Sequence, residues 1–207
     1  QRYNEYIKAH TDELAPDDTP QPNADNDADP VYLALSVTDE ALSLELLSAL
    51  ENIGARATFL FTEKELAESG DLLRRLSVVG SAVALKVDAS AGGGRTVAAI
   101  ERANDALWTA CNRKTRLVLL ENAADETVRA VQNAGYCPIV FDLDYSAGLP
   151  SVSRAVSAMQ RATRGCTVLL GDDTSVQEDW TPLLTRLHAN GLPITALNEL
   201  SARRSAS

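Results

Sequence analysis

The stretch from Leu33 to Phe61, LALSVTDEALSLELLSALENIGARATFLF, constrains the fold more than any other because it is one complete strand–helix–strand unit. Leu33 to Val37 is a short apolar run, Thr38 or Asp39 supplies a helix cap, and Leu42, Leu46, Leu47, Leu50 and Ile53 recur at helical spacing until Gly54 stops the helix. Ala57 to Phe61 then reads as a second buried strand. An acidic residue stands at the first turn of the unit.

The alternation continues. Thr62 and Glu65 form a capping box for a short helix ending at Gly70, Asp71 to Val79 makes another closed by Gly80, and Ala82 to Val87 is the third strand. Gly92, Gly93 and Gly94 read as a flexible loop before a long helix from Thr96 to Asn112; the Lys-Ser/Thr of a phosphate-binding loop is missing. Leu117 to Leu120 is a strand, Asp125 to Ala134 a helix, Ile139 to Asp142 a strand, Val152 to Thr163 an amphipathic helix and Cys166 to Leu170 a strand. Thr181 is placed to cap a helix with Pro182 in its first position, and Leu192 to Leu197 is the last strand. Seven strands, each followed by a helix, predict an all-parallel α/β sheet, because parallel strands need crossovers. Periodicity does not separate a closed, irregular barrel from an open doubly wound sheet.

At 207 residues the chain suffices for one ample core, expected over residues 31–201 with a short tail at 202–207. Residues 1–30 differ: eight acids face Arg2 and Lys8, a net of −6 out of −10 for the whole chain. From Ala15 to Pro30 there are four prolines and almost no apolar residues, so this segment is expected to be a flexible linker, with only a weak helical pattern at Tyr3 to Leu14. The acidic balance argues against nucleic acid and anionic membrane as partners. No apolar run is long enough to span a bilayer. The chain starts at Gln1, and an acidic, Pro-rich linker ahead of a globular domain fits an extracellular or cell-envelope protein tethered to the membrane only through an anchor that precedes it. Cys111, Cys137 and Cys166 have no CxxC spacing and read as small buried hydrophobes; Cys137 and Cys166 both begin strands, which leaves one disulfide open.

Ala57, Thr58, Phe59 and Leu60 resemble the Ala-Thr-Phe-Phe strand of the polysaccharide deacetylase (NodB-homology) family, and Ser36, Val37, Thr38, Asp39 and Glu40 stand where that family has Thr-Phe-Asp-Asp-Gly. Gly165 to Leu170 resembles the strand before the family's His-Asp pair, and Leu184 to Leu200 its final helix and strand. The resemblance runs from Val31 to Leu200 and implies an irregular (β/α) barrel of about seven parallel strands. It also implies a site at the strand ends: an Asp as general base, an Asp and two His holding a divalent metal that polarises an N-acetyl carbonyl, an Arg-Pro-Pro-Tyr segment, and a late His as general acid.

Laid on that pattern, the base position is Thr38 and the metal-binding Asp is Asp39. Lys86 and Ser90 take the places of the two metal-binding histidines, Leu117 to Glu121 replaces Arg-Pro-Pro-Tyr-Gly with Arg116 one position off, and Gly171 stands where the late histidine belongs, followed by Asp172. An ammonium repels a metal cation, and serine is a poor ligand. The chain has two histidines: His10 in the tail, and His188 inside the final helix, read as a solvated surface residue. The reading is therefore a catalytically inactive polysaccharide-deacetylase-like domain of the bacterial cell envelope, glycan-binding or scaffolding, with no catalytic residue, no metal and no cofactor. Its ligand-binding candidates are Asp39, Lys86, Asp88, Glu121, Asp144, Asp172 and Trp180, with Asp142 also at a strand end. Lys86 is expected beside Asp39, replacing the charge of the metal. Trp180, read as a loop residue at the barrel mouth, and Tyr145 are placed to stack on a sugar ring or fill a partner's pocket, whereas Trp108, at helical spacing with Val97 and Ile100, reads as core. The alternative is a divergent hydrolase of the carbon–nitrogen bonds of N-acetylated polysaccharide, with Asp39 and Asp144 or Asp172 as a rebuilt carboxylate pair or as ligands for a hard cation.

Overall fold

The computed structural model describes residues 29–162, 165–171 and 174–204. The expected acidic linker and its weak helix lie outside the described residues. So does Asp172.

Eight strands and eight helices alternate among the described residues: β1 (Val31–Ser36), α1 (Glu40–Asn52), β2 (Thr58–Phe61), α2 (Glu63–Glu68), α3 (Gly70–Val79), β3 (Ala82–Asp88), α4 (Gly93–Cys111), β4 (Leu117–Glu121), α5 (Asp125–Asn133), β5 (Cys137–Pro138), β6 (Leu143–Tyr145), α6 (Val152–Arg161), β7 (Cys166–Leu170), α7 (Thr174–Ala189), β8 (Ile194–Thr195) and α8 (Glu199–Arg204). Every strand pairing is parallel, in the order β5-β4-β3-β2-β1-β7-β6, with β8 on β1. The fold is the irregular (β/α) barrel expected. β1, β2 and β7 are buried on both faces, which is why they read as unbroken apolar runs.

The strand order is that of a barrel cut between β5 and β6, so closure by a ladder across that cut is not what the structure shows. The strand expected at Ile139 to Asp142 is instead the crossing between the two edges. Ile139 N–H donates to the Val118 carbonyl on the β4 side (2.8 Å), and Asp142 N–H donates to the Thr167 carbonyl on the β7 side (3.0 Å). One bent segment thus touches both edges, and β5 and β6 are the halves of a single barrel stave. Asp142 and Thr167 clamp the far half: the Thr167 hydroxyl and N–H both donate to Asp142 Oδ2 at 2.8 Å, and Thr167 is 2% exposed.

Two apolar layers follow from strand alternation. Leu33, Leu35, Phe59, Phe61, Leu85, Val118, Val168 and Leu170 face the helices, meeting Leu46, Leu47 and Leu50 of α1 and Leu183, Leu184 and Leu187 of α7. Ala34, Leu60, Ala84, Leu117, Ile139 and Leu169 fill the barrel, and Leu197 with Ala202 of α8 joins the same cluster. Because Leu197 N–H donates to Thr58 Oγ1 at the start of β2 (2.8 Å), α8 closes the N-terminal end of the barrel.

Local chemistry sets the helix ends. Thr62 and Glu65 form the expected capping box, and Gly80 ends α3 at φ 75°. The glycine run is not the expected loop: Gly92, at φ 88°, precedes α4, and Gly93 and Gly94 are its first residues. A Cβ on Gly93 would lie 2.6 Å from Ala130 Cβ, so its place follows from the close approach of α4 to α5. Trp108 is 51% exposed rather than core. The buried stripe of α4 is set by Ile100, Ala103, Asn104 and Leu107, and a residue eight positions after Ile100 is rotated about 80° from it.

Thr167→Val keeps the buried shape and removes the hydroxyl from the clamp; it is expected to lower stability by about 1–3 kcal/mol in urea unfolding. An unchanged midpoint would show that the clamp does not hold the far half of the stave.

Candidate functional site at the strand ends

Alternation carries Lys86 and Asp88 onto the same barrel-facing side of β3 as Ala84, and Glu121 onto that side of β4 with Leu117 and Leu119. Asp88 and Glu121 are direct register partners. Lys86 Nζ lies 3.4 Å from Glu121 Oε1, and among the described residues no ion pair joins Lys86 to Asp39. The expected Asp39–Lys86 pair is therefore replaced by one between adjacent strands, where register brings the two groups together. Asp88 Oδ1 accepts from Ser90 N–H (3.0 Å) and from Asn122 Nδ2 (3.4 Å), and these bonds hold its carboxyl below the usual value. Asn122 adopts φ 54°, a conformation that asparagine tolerates better than most residues. Sequence reading missed Asn122; its signal was an Asn directly after the acidic end of an apolar strand.

The other acids at the mouth are each tied up in hydrogen bonds within the protein. Asp39 Oδ1 accepts from Leu42 N–H (3.0 Å) as the N-cap of α1. Glu40, in the glycine position of the resembled motif, accepts from Asp71 N–H (2.8 Å) and Leu72 N–H (2.9 Å) and so caps α3 across the helix layer. Asp144 Oδ1 accepts from Ser146 N–H (2.8 Å). Asp142 belongs to the clamp with Thr167. Among the described residues no group of three His, Cys, Asp or Glu side chains is arranged to hold a metal ion. The structure thus brings Lys86, Asp88 and Glu121 together and leaves Asp39 and Asp144 in separate backbone turns.

Gly171 ends β7 at the position of the resembled histidine. A Cβ there would lie 2.7 Å from the carbonyl carbon and 2.8 Å from the Cα of Ser146, whose turn follows β6, and Gly171 N–H donates to the Tyr145 carbonyl (3.3 Å). The β6 turn occupies the space of any side chain at this position. Arg116 points away from the mouth: its Nε donates to the Gly135 carbonyl (2.7 Å) and its Nη1 pairs with Glu199 (3.3 Å).

Trp180 is not a loop residue. Helix α7 begins at Thr174 and carries Pro182 inside it, so the expected start at Thr181 is overridden. Extending the helix lets Trp180 join Leu183, Leu184 and Leu187 in the core, where it is 5% exposed and offers no open face for stacking. His188 is exposed on α7 as expected. All three cysteines are free. Burial, with the nearby Asp142 charge adding, pushes the Cys166 thiol up to about 11, and burial followed by the charge of Cys166 raises Tyr145.

No family model matches the sequence, and no curated protein matches it. Solved structures do. A family 4 carbohydrate esterase from Streptomyces lividans, in complex with acetate, superposes with a TM-score of 0.71 at 18% identity over 84% of this chain and 95% of that one. The peptidoglycan deacetylase PdaC from Bacillus subtilis gives 0.72 at 14% over 87% and 94%. BA3943, a CE4 family pseudoenzyme from Bacillus anthracis, gives 0.70 at 17% over 84% and 66%. At these identities the likeness establishes that the chain has the fold of the family 4 carbohydrate esterases.

Two outcomes follow from this geometry. Gly171→Ala should destabilise the protein by about 1–3 kcal/mol, the usual cost of overpacking, measured by urea unfolding; a neutral substitution would mean the Ser146 turn yields freely. Because the folded state holds the Cys166 proton more tightly than an ordinary thiol, which titrates near 9.0, stability should fall as pH rises from about 9 to about 11, with the urea midpoint as readout. Cys166→Ser should flatten that fall.

Proposed function

We propose that this chain is a degenerate, non-catalytic member of the polysaccharide deacetylase family that binds polysaccharide of the bacterial cell envelope. The observation that carries the reading is the backbone of the Ser146 turn lying in the space of a side chain at 171. A lost side chain can be replaced, whereas here the main chain itself stands in the way. Thr38, Lys86 and Ser90 in place of the family's base and two metal-binding histidines support the same conclusion. A mutant of the pseudoenzyme BA3943 has restored enzymatic activity. In this chain, substitution of side chains alone should not do the same.

The binding surface in this reading is the rim of β3 and β4. Lys86 and Glu121, with Asp88 and Asn122, present donors and acceptors suited to sugar hydroxyls, and Lys86 keeps the rim from being purely acidic. The PdaC name supplies peptidoglycan as the first polysaccharide to test. Among the described residues no helix is long and apolar enough to cross a membrane, and envelope attachment through a preceding segment belongs to this proposal.

Acetate release from N-acetylated chitooligosaccharides should stay at background across a series of divalent metals. Release above background would contradict the non-catalytic reading. Retention on insoluble peptidoglycan should fall about tenfold in the double variant Lys86→Ala, Glu121→Ala, the size expected for lost hydrogen bonds to charged groups. Wild-type protein that stays wholly in the supernatant would contradict the binding reading.

A further inference from the structure

The end of the barrel opposite the mouth carries a cluster of cations. Every strand pairing is parallel, so Arg56 before β2 and Arg113, Lys114 and Arg116 before β4 stand at this one end, all four exposed. Thr58 pairs with Ala82 and Leu85 with Val118, and the same register carried back puts Arg56, Gly80 and Arg113 in one row across β2, β3 and β4. Gly80 keeps that row open. The Arg56 guanidinium lies over it, Cζ being 3.2 Å from where a Cβ on Gly80 would stand. Arg56 is thus carried from its own strand toward Arg113, two strand spacings or about 10 Å away.

The loop bearing Arg113 to Arg116 is fixed from within the core. Asn104 of α4 is 3% exposed; its Nδ2 donates to the Thr115 carbonyl (3.0 Å) and its Oδ1 accepts from the Thr115 N–H (2.8 Å). One buried side chain satisfies both backbone groups of one loop residue, which holds the cations on either side of it in place. Beside them a cleft of about 180 Å³ runs along Ala82, Leu107 and Leu117, with Arg113 and Lys114 in its lining. Among the described residues Arg56 and Arg113 form no ion pair. Lys114 pairs with Asp105 (3.0 Å) with both side chains more than half exposed, and such a pair exchanges partners readily.

The anion that fits this row belongs to the chain. The chain enters the fold at the same end, through β1, the neighbour of β2. Between Lys8 and Arg56 the sequence has no Lys or Arg, and Asp12, Glu13, Asp17, Asp18, Asp25 and Asp27 precede the entry. From β1 to β4 is three strand spacings, about 14 Å, a distance that about five extended residues cover. Because the link is covalent, the effective concentration of these carboxylates at the arginines is on the order of millimolar, enough to populate a contact too weak to form between separate molecules. The mouth, with Asp39, Glu40, Asp88 and Glu121, repels the same segment.

We propose that the acidic stretch Asp12 to Asp27 docks on the row formed by Arg56, Arg113 and Lys114 of the same chain. The contact covers the end of the barrel opposite the mouth and leaves the mouth open. It stands independently of whether the mouth binds polysaccharide.

The test compares the ¹⁵N-labelled full chain with a full-chain variant carrying Asp12→Asn, Glu13→Gln, Asp17→Asn, Asp18→Asn, Asp25→Asn and Asp27→Asn. At low salt the Arg56 and Arg113 Nε–H resonances and the backbone amides of residues 113–116 should differ between the two, and the amides of Lys86 and Glu121 should not. Raising the salt to about 0.5 M, where the screening length falls to about 4 Å, should move the wild-type spectrum onto that of the variant. Arg56→Gln with Arg113→Gln, both on the surface, should keep the urea midpoint and return the amides of residues 12–27 to their high-salt positions. Identical low-salt spectra for wild type and the neutralised chain overturn the proposal, and a shift of the same arginines by inorganic phosphate would then assign this face to an outside anion. Differences that grow with protein concentration overturn it in favour of a second copy of the chain. Differences of equal size at Lys86 and Glu121 overturn it too, because a general field would then replace docking.

Discussion

The barrel depends on one bent segment, Cys137 to Tyr145, meeting both of its edges. A parallel sheet with two free edges exposes two rows of unpaired backbone groups, and natural folds cover or close them. Here the chain leaves β4 at Ile139, crosses without a helix and joins β7 at Asp142, where the Thr167 clamp fixes its register. Each half of the stave is short because the bend uses the residues between them. The placement of the mouth follows from this closure. The turn after β6 is delivered against the end of β7, and Gly171 is the residue that lets it lie there.

The mouth is accordingly built of backbone turns as much as of side chains. Asp39 caps α1, Glu40 caps α3, and Asp88 and Asp144 each hold the N–H of their own turn, so these carboxylates serve the backbone first. A carboxylate already accepting backbone hydrogen bonds in its own turn is poorly placed to converge with others on a cation. The Lys86–Glu121 pair on adjacent strands is tied instead by an ion pair across the sheet.

Much of the fold was legible because parallel strands buried on both faces leave continuous apolar runs, as β1, β2 and β7 do, while β3 and β4 carry shorter runs, Ala82 to Leu85 and Leu117 to Leu120, before their polar ends. The helices between them were equally plain where capping chemistry and amphipathic spacing agree, as at Thr62 and Gly80. What stayed hidden was tertiary. Ile139 to Asp142 has the pattern of one strand, and its division between two edges is a property of closure. Pro182 gives a strong local signal for a helix start, yet the gain from burying Trp180 extends α7 past it. The partner of Lys86 was misjudged because pairing across a sheet depends on register, which no single strand records. Gly171 was recognised as a missing histidine; that its space is filled by Ser146 required the fold.

We propose that this barrel, which has the fold of the family 4 carbohydrate esterases, binds no metal ion at its strand ends. Crystals of the full chain grown with zinc and measured at the zinc absorption edge test that most directly. The account predicts no anomalous peak at the strand ends bounded by Asp39, Lys86 and Gly171. A peak there with protein ligands around it would contradict it.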